Sequence, residues 1–181
     1  MIFGLFQRSS KKDFPHHIYT AIVEQARNPA FYTRYGVPDT IDGRFEMIVL
    51  HLFIYFSRID GSDAALRALR QDVFDVFTSD MDRSLREMGV GDLSVPKKMK
   101  VVAESFYGRI KAYEAALKDG NGAFIETMER NVFPEMPDRE EHARLLAAYA
   151  KEGIVLWKTV DDHALLQGRV AFPDPETVQA A

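Results

Sequence analysis

Apolar residues recur along this chain at intervals of three and four, the spacing that gathers one face of an α-helix, and rarely at intervals of two. Leu66, Leu69, Val73, Phe77, Met81, Leu85 and Met88 form one stripe of a long helix that begins near Ser62, a good N-cap, with Asp63 in the first turn. Met99, Val102, Phe106, Ile110, Tyr113 and Leu117 form a second stripe. Gly89 and Gly91 stop the first helix, because glycine accepts the left-handed conformation used just past a helix end. Ser94 with Pro96 starts the second. The pattern predicts a long helical hairpin.

Upstream, Ile18, Ile22 and Ala26 mark a helix that ends before Pro29. Asp42 to Ile59 reads as a helix apolar on nearly every side, and such a helix belongs at the centre of the molecule. Its most apolar part, Met47 to Phe56, is broken only by His51 and is too short to span a bilayer, which takes ~20 residues. Downstream, Phe124, Ile125, Met128 and Val132 predict a short helix, Leu145, Leu146 and Tyr149 another, and Trp157, Val160 and Ala164 a last one before Gly168. Strand is tempting only at Ile154 to Trp157 and at Val170 to Phe172, and neither has a partner.

These elements give an all-α fold, a single compact helical domain with a central buried apolar helix and a long hairpin. The domain is expected over residues 16–168, between a flexible segment 1–15 and an extended tail 169–181 that carries Pro173 and Pro175. Ile2, Phe3, Leu5 and Phe6 precede Arg8, Lys11 and Lys12, the reverse order of a secretory signal, so export is not implied. That end suits either a frayed terminus or a contact with a lipid interface.

Composition narrows the chemistry. The absence of cysteine removes disulfides, thiol catalysis and cysteine-based metal sites. A net charge of −4 is of the wrong sign for whole-surface attraction to DNA, so any anion contact must be local. His16 and His17 point in different directions on a helix, and His142 and His163 sit in the acidic stretches EEH and DDH on exposed helical faces. No His-Glu-x-x-His or Glu-x-x-His spacing exists, no phosphate loop, and no serine in a nucleophile elbow. Asp80 with Asp82, and Asp161 with Asp162, fall on different helix faces and cannot converge as an acid and base. His51 is the lone polar group in an apolar helix, and a hydrogen-bonded core histidine is the expected reading, with a haem or metal ligand as the alternative. No metal or cofactor is called for, and the chain does not read as an enzyme.

One feature breaks a local rule. Lys97, Lys98 and Lys100 lie in the first turn and a half of a helix, where unpaired backbone N–H groups already carry partial positive charge. Asp80, Asp82 or Glu87 across the hairpin could neutralise them, or the lysines could form an anion-seeking patch. Phe31 and Tyr35 in a turn-rich stretch, and Phe106 and Tyr107 in Ser105 to Arg109, read either as core or as an aromatic groove beside this basic rim.

The blocks YGVPDTIDGRFEMIVLHLFIYF, DVFTSDMDRSLREMGVGDLSVPKKMK and ESFYGRIKAYEAAL resemble the ubiquinol–cytochrome c chaperone family, assembly factors for cytochrome b of the respiratory cytochrome bc complex. The resemblance is clear from Tyr19 to Leu117 and weaker to Trp157. It implies a helical, non-enzymatic chaperone for newly made cytochrome b, which in mitochondria works with a small partner protein near the ribosomal tunnel exit. Matching motif residues are Asp80, Asp82, Arg83, Arg86, Gly89, Gly91, Asp92, Pro96, Lys97 and Lys98, followed by Tyr107 and Arg109. The chain shows no mitochondrial targeting extension, so a bacterial member is expected, cytoplasmic and peripheral at the inner membrane. Contacts with an anionic membrane surface and with the ribosome complete that expectation.

The expected client-binding set is therefore Asp80, Asp82, Arg83, Arg86, Lys97, Lys98, Lys100, Phe31, Tyr35, Phe106, Tyr107 and Arg109, with Gly89, Gly91 and Pro96 shaping the turn. Two other readings remain at this point: a haem- or small-molecule-binding protein using His51, and an RNA-binding adaptor using the basic hairpin edge.

Overall fold

A helix that is apolar on every side cannot lie on a surface, so the rest of the chain has to enclose it. In the computed structural model, which describes residues 14–59, 63–134, 136–137 and 139–180, the other helices do so. Among the described residues the chain runs α1 (Phe14–Ala26), α2 (Pro29–Thr33), α3 (Ile41–Phe56), α4 (Ala64–Glu87), α5 (Val95–Asp119), α6 (Asn121–Val132), α7 (Arg139–Lys158) and α8 (Asp162–Leu166). α3 packs against α1, α5, α6 and α7, and every residue from Glu46 to Phe56 is buried. The fold is all-helical and centred on this element, as the pattern predicts.

The start of α3 is fixed locally. The Thr40 hydroxyl accepts a hydrogen bond from the Gly43 amide at 3.1 Å, and Asp42 places negative charge in the first turn. A Cβ at Gly43 would lie 2.0 Å from the Pro38 carbonyl oxygen, so the preceding turn can fold onto α3 only where that residue has no side chain.

Two polar side chains remain on the buried helix, and each is satisfied from another element. Glu46 receives Arg109 of α5 through Nε at 3.0 Å to both carboxylate oxygens and through Nη2 at 2.7 Å. Burial pushes the Glu46 carboxyl above its ordinary range while Arg109 pulls it back, and the forked geometry is that of an ion pair. His51 is bonded through Nδ1 to the Met47 carbonyl at 2.7 Å and through Nε2 to the Tyr149 hydroxyl at 2.9 Å. A carbonyl can only accept, so Nδ1 carries the proton and Nε2 accepts from Tyr149. Gln25 of α1 donates to the same hydroxyl at 3.0 Å and to the Pro173 carbonyl at 3.1 Å. One hydrogen-bond chain thus ties α1, α3, α7 and the C-terminal tail together.

Several boundaries differ from the sequence reading. Pro29 ends α1 as expected but also opens α2, a single turn capped by the Asn28 side chain on the Ala30 amide at 3.0 Å, too short to show a period. Tyr149 and Trp157 lie on one helix, α7, rather than two, because Gly153 between them is accommodated within the helix. Ile154 to Trp157 is therefore helical, and no strand exists among the described residues. Asp63, not Ser62, caps α4, accepting from the Ala65 and Leu66 amides. Ser62 and the N-terminal Ile2 to Lys12 lie outside the described residues. His142, expected on an exposed face, is half-buried and stacked on Phe133.

The tail beyond Gly168 has no helix but lies on the core. Arg34 donates to the Pro175 and Val178 carbonyls, the Tyr35 hydroxyl donates to Pro175 at 2.9 Å, and Val178 is buried. Phe172 packs edge-on against His51 and Trp157.

Two outcomes follow from this core. Gly43→Ala should lower stability by more than ~2 kcal/mol, since backbone rather than a flexible side chain must shift; an unchanged urea midpoint would show that the turn relaxes freely. Burial holds the His51 imidazole down to about 4 from 6.5, so the unfolded chain takes up a proton that the folded one refuses. Stability from this group is full above pH 6.5 and declines as the pH falls toward about 4, by up to ~1.4 kcal/mol per pH unit. His51→Phe should remove that share of the slope between pH 7 and 5, and equal slopes in both proteins would place the titration elsewhere.

Candidate protein-interaction site

The hairpin of α4 and α5 owes its shape to where the core ends. On α4 the buried positions are Leu66, Leu69, Val73 and Phe77, and none follows. Met81 and Leu85 continue the stripe but are only half-buried, and Met88 is 52% exposed. The last ten residues of α4, ~15 Å of helix at 1.5 Å per residue, therefore contain no buried residue. Gly89, at φ +84°, closes α4: its amide bonds to the Arg86 carbonyl at 2.9 Å and the Val90 amide to Leu85 at 3.0 Å. Gly91 does not adopt a positive φ; its carbonyl instead accepts from the Ser94 and Val95 amides. Pro96 sits in the first turn of α5, and the Ser94 side chain makes no capping bond.

The charges on this projection are sorted by helix. Arg83 pairs with Asp80 and Glu87, and Arg86 with Asp82 and Asp92. Asp80 also accepts from the Tyr19 hydroxyl at 2.8 Å, which fastens α4 to α1. Hydrogen bonding from Arg86 holds the Asp82 carboxyl below its usual range. Lys100 reaches Glu104 on its own helix at 3.7 Å. The carboxylates across the hairpin from the lysines are thus taken by arginines, and among the described residues Lys97 and Lys98 have no ion-pair partner.

At the base of the hairpin, aromatic rings stack between the two helices. Phe106 lies 5.2 Å from Phe77 and 5.1 Å from Phe74, and Phe74 lies 5.6 Å from Tyr107, which is 59% exposed. A groove of about 380 Å³ opens beside them, lined by Phe56, Arg67, Arg70, Gln71, Phe74, Phe106 and Tyr107. Arg70 stands over the Phe56 ring at 4.7 Å and donates to the Ile59 carbonyl at 3.1 Å. A second hollow of about 470 Å³ runs between α1 and α4, with Arg27, Asp80 and Arg83 on its wall.

The structure brings Asp80, Asp82, Arg83, Arg86, Lys97, Lys98, Lys100, Phe106 and Tyr107 onto one element, and separates the others. Phe31 and Tyr35 are fully enclosed; the rings they meet are those of His51 and Tyr149, and they line no groove with the hairpin. Arg109 directs its donors to Glu46 and fastens α5 to α3. Arg67, Arg70, Gln71 and Phe74 escaped the sequence reading, although their spacing of three, four and seven marks a second face of α4 beside the apolar stripe. As for His51, both ring nitrogens are engaged inside the protein, so an axial bond to haem would require breaking the Tyr149 hydrogen bond. No cluster of histidine and carboxylates that could hold a metal exists among the described residues, and none of their helices is long and apolar enough to cross a membrane.

Comparisons with known proteins agree with this architecture. The chain is 22% identical over 156 residues to the ubiquinol–cytochrome c reductase complex assembly factor 1 of Xenopus laevis, covering 86% of this chain and 78% of that protein. The human protein of that name is 22% identical over the same 86% of this chain, which spans only 52% of the human sequence. The crystal structure of the Cbp3 homolog from Brucella abortus superposes with a TM-score of 0.85 at 39% identity, over 99% of this chain and 100% of that one. The family model for the ubiquinol–cytochrome C chaperone matches residues 33–172, most of the chain and the whole of α3 to α8, and the chain belongs to that family.

Proposed function

We propose that this protein is an assembly chaperone that holds newly made cytochrome b during construction of ubiquinol–cytochrome c reductase, and that it does so by binding rather than catalysis. The observation that carries this reading is the hairpin that outruns its own core. Met81, Leu85 and Met88 keep the helical apolar period beyond Phe77, the last buried residue of α4, so the sequence maintains an apolar face that the described residues do not fully cover. Membership of a chaperone family for this complex, and relatives named as its assembly factors, support the same reading.

The client's place is the groove at the hairpin base. Phe74, Phe106 and Tyr107 offer a wall for an apolar helix, and Arg70 a cation at its rim. Arg83 and Arg86 are occupied by Asp80 and Asp82, and form a charged flank that keeps this edge soluble while the groove is empty. Arg109 contributes by fixing α5 against α3, and Phe31 and Tyr35 by filling the core.

A photo-reactive side chain at Tyr107 in living cells should yield cytochrome b as the main adduct. The same group at Val155, exposed on α7, should not. Tyr107→Ser should cut capture several-fold, in line with losing ~1 kcal/mol from an aromatic contact, with the melting temperature unchanged. Cytochrome b captured equally from both positions, or from neither, sinks the groove as the client site.

A further inference from the structure

The arginines of α4 are answered in two ways. Toward the turn, Arg83 and Arg86 each meet carboxylates of their own chain. In the groove at the hairpin base, Arg70 instead meets the Ile59 carbonyl at 3.1 Å and the face of the Phe56 ring at 4.7 Å, neither of which carries a formal charge. Arg67 stands three residues earlier on the same wall, and among the described residues no carboxylate lines the groove. The wall is graded along α4. Arg67, Arg70 and Gln71 come first, and Phe74, ~6 Å beyond Arg70 at 1.5 Å per residue, opens the aromatic part shared with Phe106 and Tyr107 of α5.

We propose that this groove selects a helix that is apolar on one face but carries a carboxylate there, one turn from the side chains that meet Phe74 and Phe106. It rests on the chaperone reading for the identity of the client, but the selectivity belongs to the groove alone. A wholly apolar occupant would strip water from Arg70 without offering its charge a counterpart, which is unfavourable. A wholly charged one would leave the aromatic part of the groove unfilled. A carboxylate at one position, with large apolar side chains four and seven residues on, satisfies both, because i, i+4 and i+7 share one face of a helix. The guanidinium suits this use: planar and with five N–H donors, it gives one to Ile59, lies on Phe56 and has others to present to a carboxylate fork. At about 380 Å³ the groove takes side chains from one face of a helix, whose whole girth of about 10–12 Å stays outside. The chain's net charge of −4 repels an anion at a distance, so any preference for the acidic helix arises at the groove itself.

The test is fluorescence anisotropy with full-length protein and two labelled helical peptides, built on alanine and glutamine, with leucine at i+4 and i+7 and either glutamate or glutamine at i. The glutamate peptide should bind at least tenfold more tightly, and added salt should narrow the gap. Moving the glutamate to i+2, on the far side of the helix, should lose the same tenfold. Arg70→Gln should abolish the gap, and Arg70→Lys should retain part of it, since lysine keeps the charge without the fork. A merely structural Arg70, holding Ile59 and Phe56 in place, would weaken both peptides together and leave the gap intact. Arg67→Gln, at an exposed position, should also narrow the gap and serves if Arg70→Gln fails to fold. Equal affinity for the two peptides, binding of neither, or a gap that survives both glutamine substitutions overturns the proposal. If the peptides fail while Tyr107 still captures cytochrome b, the groove remains the client site without a need for an acid. Loss of that capture with the gap intact removes the client and leaves the selectivity standing.

Discussion

The structure depends on one constraint: a helix with eleven consecutive buried residues must have every polar group on it answered from outside. Removing Glu46 and His51 from water is unfavourable unless each is paired, so their partners on α5 and α7 are held where those bonds require. The Glu46–Arg109 fork sets the height of α5 along α3. The His51–Tyr149–Gln25 chain does the same for α7 and α1, and through the Pro173 carbonyl for the tail. Apolar packing alone tolerates sliding; these two sets of directional bonds do not.

That arrangement bears on the hairpin. Arg109 lies one turn beyond Phe106 and Tyr107 on α5, so the ion pair that anchors the helix to the core also places the aromatic wall. On the α4 side the Tyr19–Asp80 bond has the same effect one turn past the last buried residue, Phe77. Beyond these two fastenings α4 has no buried residue, and its apolar stripe changes from core to surface without changing period.

This explains what could and could not be read from the chain. Period reports that a residue faces a neighbour, not how far the neighbour extends, so the stripe from Leu66 to Met88 predicts the helix and its packed face but not that full burial ends at Phe77. The central helix was legible because its composition leaves no alternative, and the hairpin turn because Gly89 is needed at a positive φ. The groove was half legible: Phe106 and Tyr107 stood out by type, whereas Arg67, Arg70 and Gln71 look like ordinary solvated positions until α5 is laid beside them. Phe31 and Tyr35 were misleading for the converse reason. A turn-rich stretch looks exposed locally, but the tail that covers it, with Val178 and the Pro175 carbonyl, lies some 140 residues away in sequence.

The two parts of the hairpin also differ in what they can tolerate. At the base, Phe56 and Phe106 belong at once to the core and to the groove, so a change at either of them alters packing as well as the groove. At the apex, Leu93, Lys97 and Lys98 touch little of the fold, and substitutions there are nearly free of structural cost. An exposed leucine and two like charges at a helix start each carry a small local penalty, and no contact within the described fold offsets either. Features that are slightly unfavourable alone, unsupported by packing and adjacent in space are what a surface looks like when its counterpart lies outside the molecule.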